Sequence, residues 1–294
     1  MSFLVYVLIG LMPGDPIDMM IAGSPHMAPE DAARLRSLYG LDKPLIERYF
    51  SWLLEALNGD FGYSRLYSLP VGAVLLPMLG HTALLMGLSL LLTIIIAVPL
   101  GVYAAYFSGR VFDRAANLLC FAGISVPPFW LGLLMISLFA VTLGWLPASA
   151  TPDQPISLLL PVATLTATGF AVYTRHMRAS MLQNLNGDHI RTARAKGCTE
   201  NLVLWRHAFK GALAPLVTLL MLDMGTLFGG ALTIETVFAF PGMGKLMFDA
   251  LMGNDYNLAL MGFLLLTACV LFFNLLADVL YALIDPRASV WRPA

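Results

Sequence analysis

The chain has 294 residues, of which 59% are hydrophobic and only 12% are charged. Soluble domains carry about 25% charged residues, so this chain has too few charges to cover a surface that faces water. The composition excludes an ordinary soluble enzyme and a disordered protein, and it indicates a polytopic membrane protein. The net charge of −1 argues against nucleic-acid binding, which usually accompanies an excess of basic residues.

The first apolar run is short: it covers residues 1–12 and stops at a Pro-Gly-Asp-Pro segment at 13–16. A helix of this length reaches at most about 18 Å, against a hydrocarbon core of about 30 Å. The run lacks the basic start and the cleavage site of a signal peptide. We expect a partial first transmembrane helix whose natural start lies upstream. The alternative is a short first helix that the other spans hold in place.

Further apolar runs are long enough to cross a bilayer, which needs about 20 residues. They are 81–107, 118–143, 157–173 with its flanks, 212–234 and 257–284. Together they predict an all-α polytopic membrane protein with about six transmembrane helices, the first of them incomplete. Pro127 and Pro128 interrupt the run 118–143, which predicts either a static kink or a kink in a helix that lines a gate.

Lysine and arginine lie in the links that alternating helices would bring to one side. The basic segments are 108–117, 175–210 and the tail 285–294, whereas 145–156 has no Lys or Arg. The positive-inside rule therefore predicts that the basic segments are cytoplasmic. The segment 13–80 is then external, and its apolar residues at helical spacing predict amphipathic helices on the outer membrane surface or against the spans.

The segment 188–215 has the pattern of two short helices separated by a glycine. Residues 190–196 are good helix formers, Gly197 is typical of the left-handed residue that ends a helix, and Thr199 is a candidate N-cap for the next one. Ala193 and Ala195 are small enough to let another surface approach closely. The pattern predicts an exposed docking knob at Gly197, and the alternative is a plain solvated basic loop.

Short motifs spread over nearly the whole chain carry a family resemblance. They are PGDP at 13–16, YGLD at 39–42, NGDFG at 58–62, SVPPF at 125–129, RTARAKG at 191–197, ETVF at 235–238, PGMG at 241–244 and DPR at 285–287. With these motifs the sequence resembles the inner-membrane permease subunits of ABC importers, in the dipeptide, oligopeptide and nickel branch. Arg191 and Thr192 replace the Glu and the first Ala of the wider family's E-A-A-x-x-x-G loop.

The resemblance implies a type I ABC importer permease fold, in the cell inner membrane, that moves peptides or similar small solutes. The apolar runs and charges, read with this resemblance, predict a partial first helix at 1–12, an external segment at 13–80, a transmembrane core at 81–284 with a coupling loop at 175–211, and a cytoplasmic tail at 285–294. The short first helix is a departure from the family, because it lacks the basic start and the inner half. The coupling residues would be Arg191, Thr192, Ala193, Arg194, Ala195, Lys196 and Gly197.

The same resemblance implies the partners of the chain. They are a second permease subunit, two cytoplasmic ATPase subunits that bind the ATP, an external solute-binding protein and membrane lipid. The chain itself would need no cofactor or metal and would not be an enzyme. In agreement, its sequence contains no phosphate-binding P-loop motif and no histidines at metal-ligand spacing.

Asp223 is an acid inside the apolar run 212–234, and an ionisable residue at such a position is a functional candidate. It either faces the translocation pathway, with Pro127 and Pro128 as candidate gate residues, or is paired to a neighbouring helix. The nearby Gly225, Gly229 and Gly230 predict close helix packing.

Two other classes of function remain as alternatives to the permease. A secondary transporter would usually show internal repeats and several intramembrane coupling charges, and a membrane-embedded enzyme would need a catalytic cluster. The sequence shows no clear repeat, few such charges and no such cluster.

Overall fold

The structure is a computed structural model that describes residues 2–11 and 43–284, apart from the side chains of 226–230 and 284. In chain order the α-helices are α1 (Ser2–Gly10), α2 (Leu45–Leu57), α3 (Val71–Tyr106), α4 (Val111–Ser125), α5 (Pro128–Met135), α6 (Leu159–Leu185), α7 (Asp188–Ala195), α8 (Glu200–Leu202), α9 (Phe209–Gly230), α10 (Leu232–Val237), α11 (Met243–Met252) and α12 (Tyr256–Ile284). Within these ranges the chain forms no β-sheet, which confirms the all-α prediction.

Three irregular helical turns complete the described elements. A π-helical turn over Ile136–Thr142 continues α5, and a second over Val203–Ala208 joins α8 to α9. A 3₁₀ turn over Pro155–Leu158 leads into α6. Each turn therefore extends a neighbouring helix instead of forming an independent element.

Four described segments are long and apolar enough to cross a membrane, or five if the bent pair α4–α5 is one span. The four segments are α3, α6 with its 3₁₀ turn, α8 with α9, and α12. The polytopic membrane prediction is thereby confirmed. The prediction of a longer first helix concerns Met1 and positions upstream of it, which lie outside the described residues.

Several helices extend beyond the predicted apolar runs because tertiary packing holds their ends. Helix α3 begins at Val71, well before the predicted start at residue 81, and Val71, Val74 and Leu75 are buried against α11 and α12. The second short helix predicted after Gly197 is also wrong as a separate element. It is the beginning of the long segment that runs from Glu200 into α9.

The predicted run 118–143 is two helices and not one continuous span. Helices α4 and α5 meet at an angle of 94°. Val126 is extended, as sterics demand of a residue before proline, and Pro127 precedes Pro128 at the start of α5. The predicted kink at Pro127 and Pro128 is confirmed, while its role in a gate stays a prediction.

The helices pack closely where glycine removes the side chain. A Cβ at Gly101 of α3 would lie 2.7 Å from the Thr174 carbonyl oxygen of α6, and a Cβ at Gly225 would lie 3.2 Å from Cα of Val270 in α12. The close-packing prediction is confirmed for Gly225, since small residues let membrane helices approach. Gly229 and Gly230 lie outside the residues with described side chains.

Contacts between the links define two ends of the bundle. We call residues 107–117 and 175–210 the basic end, because Asp113 and Arg178 join these two segments. We call residues 58–70, 143–158 and 238–256 the opposite end. There the Ala150 N–H donates to the Phe238 carbonyl at 2.8 Å, and Ser64 donates to Asp255 at 2.5 Å.

Candidate functional site

At the basic end, α7 stops in a tight left-handed turn at Gly197, where φ is +76°. The Gly197 N–H donates to the Arg194 carbonyl at 2.9 Å, and the Cys198 N–H donates to the Ala193 carbonyl at 3.2 Å. This pair of bonds is a Schellman motif, which satisfies the carbonyls at the end of the helix. No atom lies within 4 Å of a Cβ built at Gly197, so the predicted exposed glycine turn is confirmed.

Helix α7 has one buried face and one exposed face. Ile190 and Ala193, one turn apart, are 0% and 5% exposed and join the core that Met177, Met181 and Val203 form. Of the predicted coupling residues, Arg191, Thr192, Arg194, Ala195, Lys196 and Gly197 are exposed. The expectation that Ala193 lets another surface approach is therefore wrong, because Ala193 faces the core, whereas Ala195 lies on the outer face.

A salt bridge connects the two sides of the Gly197 turn. Arg194 donates from Nε and Nη2 to the two carboxylate oxygens of Glu200 at 2.8 and 3.1 Å. Hydrogen bonding to Glu200 raises the pKa of Arg194, which stays charged. Thr199 lies at the N-cap position as predicted, but its side chain makes no capping hydrogen bond. The two Schellman hydrogen bonds therefore close the turn, and the exposed salt bridge spans it.

A shallow cavity of about 400 Å³ opens beside this turn. It is lined by Thr199, Asn201, Leu202, Trp205 and Arg206. The Trp205 ring also packs against Tyr103 of α3, with centroids 6.1 Å apart. The basic end therefore presents a knob and an adjacent concave surface, both attached to membrane-crossing helices.

A second ion pair at the basic end joins α4 to α6. Arg178 donates from Nε and Nη2 to Oδ1 and Oδ2 of Asp113 at 2.6 and 2.8 Å. Asp113 also accepts the Gly109 N–H and the side-chain amide of Asn117, both at 2.8 Å. The sequence pattern does not predict this pair, although Asp113 is the single acid in the basic link 108–117.

The intramembrane acid Asp223 is held by a neighbouring helix. The hydroxyl of Tyr173 in α6 donates a hydrogen bond to Asp223 in α9, and Asp223 is half-buried. This contact agrees with the alternative of an acid paired to another helix. A role for Asp223 in the pathway, together with Pro127 and Pro128, stays a prediction.

At the opposite end, a fully buried carboxylate lies at the N-terminus of α11. Glu235 is 0% exposed, accepts a hydrogen bond from Thr82 of α3 at 2.5 Å and accepts the Lys245 N–H at 2.9 Å. The Thr82 hydroxyl in turn accepts the Met243 N–H at 2.7 Å. Burial raises the pKa of Glu235, and these hydrogen bonds oppose the rise. A carboxylate is favoured here because a helix N-terminus carries positive partial charge.

This carboxylate explains two sequence motifs that the family resemblance rests on. Glu235 belongs to the motif at 235–238, and the motif at 241–244 forms the start of α11. A Cβ at Gly242 would overlap the Glu235 carboxylate, and a Cβ at Gly244 would lie 2.8 Å from the Leu232 backbone. The glycines are required because the helix N-terminus approaches the acid this closely.

A second buried carboxylate at the same end fixes the start of α12. Asp255 is 1% exposed and accepts the Leu258 N–H at 3.2 Å, as an N-cap residue does. It also accepts the Ser64 hydroxyl and the Leu66 N–H, at 2.5 and 3.0 Å. Asp255 thus attaches residues 64–66 to the bundle. In the described ranges no group of three or more His, Cys, Asp and Glu could hold a metal ion.

Solved structures identify the fold. The inward-facing MetNI methionine ABC transporter aligns over 72% of this chain and 96% of its own chain, with a TM-score of 0.60 and 19% sequence identity. A second crystal form of that transporter aligns over 70% of this chain and 93% of its own, with a TM-score of 0.58 and 19% identity. The molecule therefore has the type I ABC importer permease fold.

The chain belongs to the family of binding-protein-dependent transport system inner membrane components, whose model matches residues 97–290. A putative peptide permease of Brucella suis biovar 1 (strain 1330) is 38% identical, over 99% of this chain and 94% of its own. The oligopeptide permease AppB of Bacillus subtilis (strain 168) is 35% identical, and the dipeptide permease DppB of Escherichia coli (strain K12) is 33% identical. Both alignments cover 97% of this chain and 93% of the relative.

These findings confirm the predicted family, the transport function and the inner-membrane localisation. The chain is a transport permease and works as one component of a larger transport system. The family and the fold favour this function over a secondary transporter and over a membrane-embedded enzyme.

Proposed function

We propose that this chain forms half of a membrane pathway for peptides, beside a second permease subunit. The support is that relatives named as peptide, oligopeptide and dipeptide permeases are 33–38% identical to it over nearly its full length. An external solute-binding protein delivers the peptide to the opposite end. Two ATPase subunits bind and hydrolyse ATP, so the permease itself carries out no catalytic step.

The basic end faces the cytoplasm in this proposal, and the exposed Gly197 turn of the coupling loop 175–211 docks on an ATPase subunit. In chain order, residues 1–12 form a partial first transmembrane helix and the segment 13–80 is external. The core at 81–284 crosses the membrane, and the tail 285–294 is cytoplasmic. The excess of Lys and Arg at the basic end supports this orientation.

The observation that carries the proposal is the rigid attachment of an exposed turn to the transmembrane core. Ile190 and Ala193 anchor α7 in the core, while the Gly197 turn and its cavity remain open to a partner. Movement of the ATPase subunits would shift α7 and, with it, α6 and α9. These two helices carry Tyr173 and Asp223, so such a shift would change the surroundings of Asp223.

Gly197→Asp in the complete transporter tests the proposal. The added side chain fills the open space at the turn, and Asp is one of the few residues besides Gly that the left-handed conformation tolerates. We expect the variant to insert normally, to lose copurification with the ATPase subunit and to lose peptide uptake. Gly144→Asp is the matched control, because Gly144 has φ +64° and an equally open Cβ position at the opposite end. Normal peptide uptake by a stably inserted Gly197→Asp protein would refute the proposal.

A further inference from the structure

Two arginines on one face of α6 hold α4 at the basic end. Arg178 forms the two-point pair with Asp113 described above. One turn earlier in α6, the Arg175 guanidinium lies over the Phe121 ring of α4, 5.5 Å from its centroid. Residues three apart lie on the same face of a helix. The two contacts therefore attach α4 to α6 at two successive positions along the helices.

The Asp113–Arg178 pair fixes orientation as well as distance. A guanidinium that donates two parallel bonds to one carboxylate allows little rotation about the contact. The Asp113 side chain is 6% exposed and its remaining hydrogen bonds come from Gly109 and Asn117, so little water competes for it. Gly109 lies in the α3–α4 turn at φ +77°, so the pair also holds this turn. Helix α4 and the turn before it should therefore move together with α6.

Helix α6 is in turn connected almost directly to α7. Only Asn186 and Gly187 separate α6 from α7, and Gly187 is the N-cap residue of α7. At its other end α4 leads through Pro127 into α5. There Gly132 packs against α10 and the residue that follows it, since a Cβ built at Gly132 would lie 3.2 Å from the side chains of Val237 and Phe238. A continuous set of contacts thus runs from α7 through α6 to the bent pair α4–α5.

We propose that Asp113 and Arg178 are positioning residues that transmit movement of α7 to the bent pair α4–α5. This inference rests on the proposed docking of an ATPase subunit at α7. The pair contacts neither the docking turn nor Asp223. Its loss should therefore reduce transport per ATP hydrolysed while the ATPase subunit stays bound and Asp223 keeps its surroundings. Coupling of this kind is a free energy between two sites and is measurable as such.

The test uses the complete transporter in proteoliposomes, with its binding protein loaded from a labelled casein hydrolysate. The quantity measured is label taken up per ATP hydrolysed. Arg178→Ala should leave ATPase copurification and basal ATP hydrolysis intact and lower this ratio about tenfold, within the range usual for coupling between sites. Arg114→Ala is the matched control, since it removes an exposed arginine from the same end of α4 and should leave the ratio unchanged.

A double-mutant cycle decides whether the two residues act as a pair. Asp113→Asn combined with Arg178→Ala should lower the ratio no further than either single change, and additive losses would overturn the proposal. If Arg178→Ala does not assemble, Arg178→Lys keeps the charge without the two-point geometry. A reduced ratio for Arg178→Lys supports the proposal, and a wild-type ratio refutes it. Loss of peptide uptake in Gly197→Asp together with a wild-type ratio in Arg178→Ala would refute only this inference and leave the proposed function standing.

Discussion

The two ends of the bundle hold their helices together by different chemistry. At the opposite end, Glu235 and Asp255 are fully buried and are satisfied by hydroxyls and by backbone N–H groups at the starts of α11 and α12. At the basic end, the contacts are arginine–carboxylate pairs: Arg178 with the buried Asp113, and the exposed Arg194–Glu200 pair at 44% and 46% exposure.

This difference indicates different roles for the two ends. If one member of a buried hydrogen-bonded group is removed, the remaining donors or acceptors have neither water nor another partner to bond to. Separating the helices at the opposite end therefore costs free energy. An exposed ion pair exchanges readily with solvent and contributes little to stability. The Gly197 turn, which the exposed pair spans, can therefore accept a partner, while the opposite end keeps α3, α10 and α11 together.

The largest effect on stability is expected from Glu235→Ala. The change leaves Thr82 and the N–H groups at the start of α11 buried without an acceptor, which should cost about 3 kcal/mol. Thermal unfolding of the protein in detergent would report this as a lower midpoint. Glu55→Ala, which removes an exposed glutamate from α2, is the control and should leave the midpoint unchanged. Equal midpoints for the two variants would contradict the assigned role of Glu235.

The smallest effect is expected from Arg194→Ala at the basic end. Exposed ion pairs contribute about 0.5 kcal/mol or less, so the unfolding midpoint should stay within error of the wild type. The same detergent assay measures it beside Glu235→Ala. A loss of stability as large as that of Glu235→Ala would show that the two ends do not differ in the way described.

Local features of the chain were predictable from sequence, because they depend on neighbouring residues. Apolar runs located the transmembrane helices, the Pro127–Pro128 pair located the bend, and the helix-glycine pattern located the turn at Gly197. The size of the bend and the early start of α3 were not predictable. Both depend on packing between helices that are distant in sequence.

The pairings that hold the ends together were also beyond sequence analysis. Thr82 and Glu235 are 153 positions apart, and Asp113 and Arg178 are 65 apart, so neither pair leaves a local pattern. The burial of Ala193 was missed for a related reason. A small residue fits an exposed docking surface and a close core contact equally well, and only the position of Ile190 in the core decides between them.

Site-specific photo-cross-linking tests the central claim, that the basic end docks on an ATPase subunit, most directly. The three native cysteines, Cys120, Cys198 and Cys269, are first replaced by serine. A single cysteine is then introduced at Ala195 on the exposed face of α7, or at Ala148, an exposed alanine at the opposite end, and labelled with a maleimide photo-cross-linker. The account predicts that the Ala195→Cys variant cross-links to an ATPase subunit in the assembled transporter and that Ala148→Cys does not. An ATPase cross-link from Ala148→Cys, with none from Ala195→Cys, would contradict it.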